Sequence, residues 1–152
     1  MKTARVTLFL MLISIALMLI TACTPKLYTP KGNEEIYGTW TNPEAGRQKL
    51  LEQPDGTWKT FIYSNDTVPS ESGTYQLIKK WKDPLGNTWY YENSSQLTGA
   101  ISMGNQQGLV KIDATGKTIE FSSLDIGKFD NKTYPKEIDT KNDSYGFYHR
   151  SE

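Results

Sequence analysis

From residue 35 onward, apolar and aromatic residues come in short runs that alternate with polar ones and are separated by turn residues. In TWKTFIY (57–63), Trp58, Thr60 and Ile62 fall on one side and Lys59, Phe61 and Tyr63 on the other, a period of two that predicts a strand. The same reading gives strands over 35–41 (EIYGTWT), 47–53 (RQKLLEQ), 72–82 (SGTYQLIKKWK), 88–92 (TWYYE), 108–113 (GLVKID), 117–122 (KTIEFS) and 145–150 (YGFYHR). Within 72–82, Tyr75, Leu77 and Trp81 alternate with Thr74, Gln76 and Lys80. The Gly-, Ser- and Asn-rich stretch 93–107 holds either one weak strand at 100–103 or a loop. Pro54-Asp55-Gly56, Asp83-Pro84-Leu85-Gly86-Asn87 and Ala114-Thr115-Gly116 are turns, since proline presets φ, glycine accepts a positive one and aspartate bonds to nearby amides.

Beyond residue 22 no window sustains helical spacing for three turns, so the domain is read as all-β. Consecutive hairpins with little chain between them favour a small antiparallel up-and-down meander of about eight strands, and closing it into a barrel removes exposed edges. The repeats Gly38-Thr39-Trp40, Gly56-Thr57-Trp58 and Gly73-Thr74-Tyr75 then mark places where the chain turns into a strand.

The amino end departs from this pattern. Lys2 and Arg5 precede an apolar run from Val6 to Ala22 that ends on small residues, the layout of a secretory signal over 1–22. The run is near the roughly 18 residues that span a bilayer, so an uncleaved anchor is the competing reading. Cys23 is the only cysteine, so no internal disulfide forms and an exported thiol is left over. Residues 23–33, with two prolines and a glycine, read as a tether, and 34–152 as one domain.

Charge and chemistry narrow the function classes. Removing 1–22 takes away two of the 17 basic residues and none of the 17 acidic ones, leaving no basic field for nucleic acid. His149 is the sole histidine and has no G-x-S-x-G elbow, so a nucleophilic triad is not expected. Zinc needs three or four ligands in closed geometry, which one histidine and one cysteine are not expected to supply, and no cofactor motif is present. Ala114-Thr115-Gly116-Lys117 lacks the upstream glycine of a phosphate loop. No particular pair of carboxylates stands out as acid and base. The aromatic residues do: Trp40, Trp58, Tyr75, Trp81, Trp89, Tyr91, Phe121 and Phe147 are the candidates for barrel core or ligand lining, with Tyr90, Tyr145 and Tyr148 also on strands.

Ile20-Thr21-Ala22-Cys23 resembles the lipobox of bacterial lipoproteins, and a β-meander opening with Gly38-Thr39-Trp40 resembles the lipocalin-like members of that group. The first resemblance implies acylation of Cys23 and a membrane anchor in the bacterial envelope, at the outer membrane or cell surface. The second implies a calycin-type barrel whose G-x-W tryptophan, Trp40, packs at the closed end beneath an arginine from near the last strand. Arg150 is placed for that role, with Arg47 as competitor. The resemblance further implies a non-enzymatic, monomeric binding protein for a small hydrophobic molecule or lipid. The alternative is an interaction or inhibitor module with a filled barrel, whose loops 64–72 and 129–144 meet an envelope protein.

Overall fold

Three short turns build one end of the molecule. In the computed structural model, which describes residues 28–42, 48–98, 106–124, 137–141 and 145–151, each turn closes with a glycine amide donating to the carbonyl three residues back. Gly56 donates to Gln53 at 3.1 Å, Gly86 to Asp83 at 3.0 Å and Gly116 to Asp113 at 2.9 Å. All three glycines have φ between 71° and 86°, which a side chain would disfavour. Aspartate carboxylates brace the turns: Asp55 accepts the Thr57 amide, Asp83 those of Leu85 and Asn87, and Asp113 those of Lys117 and Thr118.

The strands among the described residues are β1 (Gly38–Thr41), β2 (Lys49–Glu52), β3 (Thr57–Phe61), β4 (Glu71–Lys82), β5 (Thr88–Thr98), β6 (Gln106–Ile112), β7 (Thr118–Leu124) and β8 (Gly146–Arg150). Each pairs antiparallel with the next, and β8 returns to β1, so the sheet is a closed eight-stranded up-and-down barrel, an architecture compatible with a calycin-like fold. The three short turns join β2 to β3, β4 to β5 and β6 to β7. The opposite ends of the strands surround the mouth.

Of the boundaries that differ from the sequence pattern, among them β3 ending at Phe61 and β6 beginning at Gln106, two bear most on the barrel. β5 runs on to Thr98 through a mostly polar stretch, because β6 pairs with it as far as Ser94 and β4 as far as Thr98. Ladder hydrogen bonds override the weak strand propensity of Asn and Ser there. Residues 35–37 form a turn rather than the start of β1, closed by the Tyr37 amide on the Glu34 carbonyl at 3.1 Å. The weak strand considered at 100–103 lies outside the described residues, as do 1–27 with Cys23, and Arg47.

The segment before β1 is part of the barrel. Tyr28, read as tether, donates its amide to Ile78 at 3.2 Å, and Ile36 is fully buried. Glu34, only 4% exposed, accepts from the Tyr28 hydroxyl, the Lys31 amide at 3.0 Å, Lys80 Nζ at 2.6 Å and the Tyr90 hydroxyl at 3.1 Å. Burial pushes this carboxyl up, but the donors from Lys80, Tyr28 and Lys31 outweigh it and hold it at about 2.

A register shift between Leu77 and Lys79 leaves Ile78 as an extra residue in β4. Before it, Tyr75 and Leu77 point into the barrel. After it the alternation is inverted, and Trp81 pairs with Trp89 on the outer face.

Candidate functional site

Inside the barrel, the strands lay down a floor of large side chains and leave the mouth end open. Trp40 is fully buried, and its indole Nε1 donates to the Ile36 carbonyl at 2.9 Å. The Arg150 guanidinium lies over the Trp40 ring, 4.2 Å from its centroid. The same guanidinium donates to the carbonyls of Gly116 at 2.8 Å, Tyr37 at 3.0 Å and Glu35, tying the last strand to a turn and to the amino-terminal segment. Tyr90, Ile112, Ile119 and Leu77 fill the space above this floor.

Beyond them is a cavity of about 500 Å³. Its walls are mixed. Leu50, Val110, Trp58 and Phe121 give apolar surface, and Gln48, Gln96, Gln106, Ser94 and Thr60 give hydrogen-bonding groups toward the strand ends at the mouth.

Three large lining groups each lie over a glycine that is their register partner on the next strand. Trp58 faces Gly73, Glu92 faces Gly108, and Phe121 faces Gly146. A Cβ on Gly73 would sit 2.6 Å from the Trp58 ring and 1.9 Å from the Ser95 carbonyl. A Cβ on Gly146 would sit 2.3 Å from the Phe121 ring, which itself stacks on Tyr148 at 5.7 Å. Missing side chains on one strand therefore make the room for rings on its neighbour.

Three carboxylates line this cavity: Glu52 from β2, Glu71 from β4 and Glu92 from β5. Glu52 is 9% exposed, and its Oε2, like Glu92 Oε2 and the Trp58 indole Nε1, has no hydrogen-bond partner within the protein. Burial raises the Glu52 carboxyl well above the usual carboxylate range, the nearby Glu92 raises it further, and a hydrogen bond from Tyr75 opposes them. Burial alone pushes Glu92 up to about 7. The contrast with Glu34 is chemical: Glu34 has the Lys80 ammonium turned toward it together with two tyrosine hydroxyls, and among the described residues neither Glu52 nor Glu92 is paired with a cation.

The structure divides the eight aromatic candidates between two faces. Trp40, Trp58, Tyr75 and Phe121 belong to the interior cluster. Trp81, Trp89 and Tyr91 belong to a separate outer cluster with Leu109, Ile78 and Ile138. There Trp81 stacks on Trp89 at 5.9 Å and on Tyr91 at 5.4 Å, and the Trp89 indole donates to Asp83 at 2.9 Å. Phe147 alternates with inward Gly146 and Tyr148, and it meets His149 edge-on at 5.0 Å on the outer face. Those four are therefore placed outside the cavity. Tyr90 and Tyr148, left out of the eight, point inward. The carboxylates Glu52 and Glu92 carried no sequence signal except parity: Glu92 shares its face of β5 with Tyr90, Ser94 and Gln96.

Comparison with protein-family models, with curated proteins and with solved structures finds no match for this chain.

Proposed function

We propose that the chain is a lipid-anchored envelope binding protein, acylated at Cys23, that holds a small molecule in the mouth of a lipocalin-like barrel and performs no reaction on it. The observation that supports this most is the cavity of about 500 Å³, since pockets from roughly 300 Å³ upward take small ligands. Its mixed walls favour an amphipathic guest over a purely hydrophobic one: an apolar body against Val110, Leu50 and Phe121, with polar groups met by the glutamines and carboxylates.

The direction from which the chain joins the barrel supports a consistent orientation. Tyr28 is fixed against Ile78 near the closed end. Cys23 precedes it by five residues, at most about 18 Å of extended chain. An anchor at Cys23 therefore turns the Trp40–Arg150 floor toward the bilayer and the mouth toward the aqueous side. Cys23→Ser tests the anchor, with release of the protein from the membrane fraction as the expected result.

The ligand is tested by native mass spectrometry of the full chain extracted from its host membrane in mild detergent. A released small molecule, lost in a Ser94→Trp variant that fills the cavity, is the expected outcome. Wild-type protein that carries no ligand and takes none from an amphipathic panel overturns the reading.

A second reading is favoured by one observation, the exposure of Ile62, Tyr63 and Val68 between β3 and β4 at the rim. Apolar side chains grouped there suit an envelope protein partner. A photocrosslinker at Val68 that captures one defined partner, with the cavity carrying no ligand, would select this reading.

A further inference from the structure

Taking the cavity as a ligand site, as proposed above, its charge distribution says what kind of ligand fits. Glu52, Glu71 and Glu92 line it, and no lysine or arginine does, among the described residues. Glu52 is nine-tenths buried with one carboxylate oxygen unpartnered, and Glu92 Oε2 is likewise buried and unpartnered. Leaving charged acceptors buried without a donor costs free energy that a cation with N–H groups would recover.

The walls beside the pair are aromatic. Glu52 is the register partner of Trp58, and the stacked rings of Phe121 and Tyr148 stand across the cavity. Aromatic faces attract organic cations and also pack their hydrocarbon bodies. A divalent metal is a poorer match. It requires several oxygen ligands in one shell, and no group of three or more metal-binding side chains is present among the described residues.

We propose that the cavity is a binding site for a small organic ammonium ion carrying N–H donors, whose cationic head lies between Glu52 and Glu92 and whose apolar body packs on Trp58 and Phe121.

Proton linkage follows from the same geometry. The other titratable groups facing the pair are Glu71 and Tyr75 from β4, Tyr145 and Tyr148 around β8, and Tyr37 before β1; none of them is cationic. With burial pushing both carboxyls above the usual carboxylate range, Glu92 to about 7, the site holds protons in acid and must release them to accept an ammonium. Affinity for an amine therefore rises from pH 5 to pH 8, while affinity for a neutral analogue stays level.

The test uses full-length protein in detergent micelles, stripped of ligand, and isothermal titration with three probes of one shape: phenethylamine, 2-phenylethanol and phenylacetate. The expected result is phenethylamine binding at least tenfold tighter than 2-phenylethanol at pH 7.5, with no phenylacetate binding. Glu52→Gln and Glu92→Gln should each weaken the amine about tenfold and leave the alcohol unchanged, which also shows that the variants fold. Equal affinity for amine and alcohol, or an amine affinity that survives the double variant, overturns the cation inference and leaves the cavity reading intact. Tighter binding of calcium chloride than of phenethylamine overturns it in favour of a metal. Failure of all three probes, in a protein that also releases no ligand on native mass spectrometry, overturns the cavity reading itself.

Discussion

The Cβ that Gly146 lacks would fall 2.3 Å from the Phe121 ring, its direct partner across β7 and β8. Gly146 has no positive φ, so alanine there is resisted by the ring and not by the backbone. Gly146→Ala should lower stability by about 1–3 kcal/mol, the usual cost of forcing extra volume into a packed site. Chemical denaturation checks this, and adding Phe121→Leu should recover part of the loss, because the two changes share one cause. Gly108→Ala serves as the contrast: its nearest neighbour is the flexible Glu92 carboxylate at 3.0 Å, which swings aside more easily than a ring.

The floor gives a second prediction. Arg150 combines a stack on Trp40 with bonds to three carbonyls from two separate segments. An ammonium cannot reproduce that planar fork, so Arg150→Lys should destabilise nearly as much as Arg150→Met. Trp40→Ala should cost about 3–5 kcal/mol. If urea unfolding shows Arg150→Lys at wild-type stability, the guanidinium geometry is not what holds the closed end.

The architecture was legible in the sequence because its signals are local. Pro54-Asp55-Gly56, Asp83 with Gly86, and Asp113 with Gly116 each specify a turn from a few adjacent residues, and each forms one. Trp40 and Arg150 come together because strand order alone brings the first and last strands side by side. The site was harder to read, for two physical reasons. One extra residue at Ile78 inverts the parity of β4, so Trp81 leaves the face of Tyr75 and Leu77, and no residue in IKKWK marks the bulge. On β5 the usual polarity is reversed: Trp89 and Tyr91 are outside, while Glu92, Ser94 and Gln96 line the cavity. Reading apolar residues as interior fails wherever a barrel encloses a polar space.

The buried network at Glu34 predicts an acid limb. Its carboxyl is held at about 2, against a usual value near 4.5, by Lys80, Tyr28 and Lys31. A depressed carboxylate contributes stability above its unfolded value and loses it as pH falls through the folded one. Unfolding free energy should therefore drop by up to about 3 kcal/mol between pH 4.5 and pH 2 from this group. Glu34→Gln should be less stable at neutral pH, with Lys80 left unpaired, and should lack that part of the acid slope. A Glu34→Gln protein with an unchanged slope would assign the acid limb to other groups.

Glu92 predicts the opposite limb. Its carboxyl is raised from about 4.5 to about 7 by burial, so the folded state keeps a proton that the unfolded chain has already lost. That contribution is complete below the unfolded value and disappears as pH rises through the folded one. The ligand-free protein should thus lose up to about 3 kcal/mol between pH 4.5 and pH 8. Glu92→Gln keeps the shape of the neutral acid and cannot ionise, so it should flatten this decline. At pH 8 it should be more stable than the wild type, an unusual outcome for substitution of a cavity-lining residue. Urea titrations at pH 5 and pH 8 separate the cases. Equal destabilisation at both values would mean that Glu92 is ionised and well solvated in the folded protein, and that its carboxylate does not carry the desolvation on which ammonium binding depends.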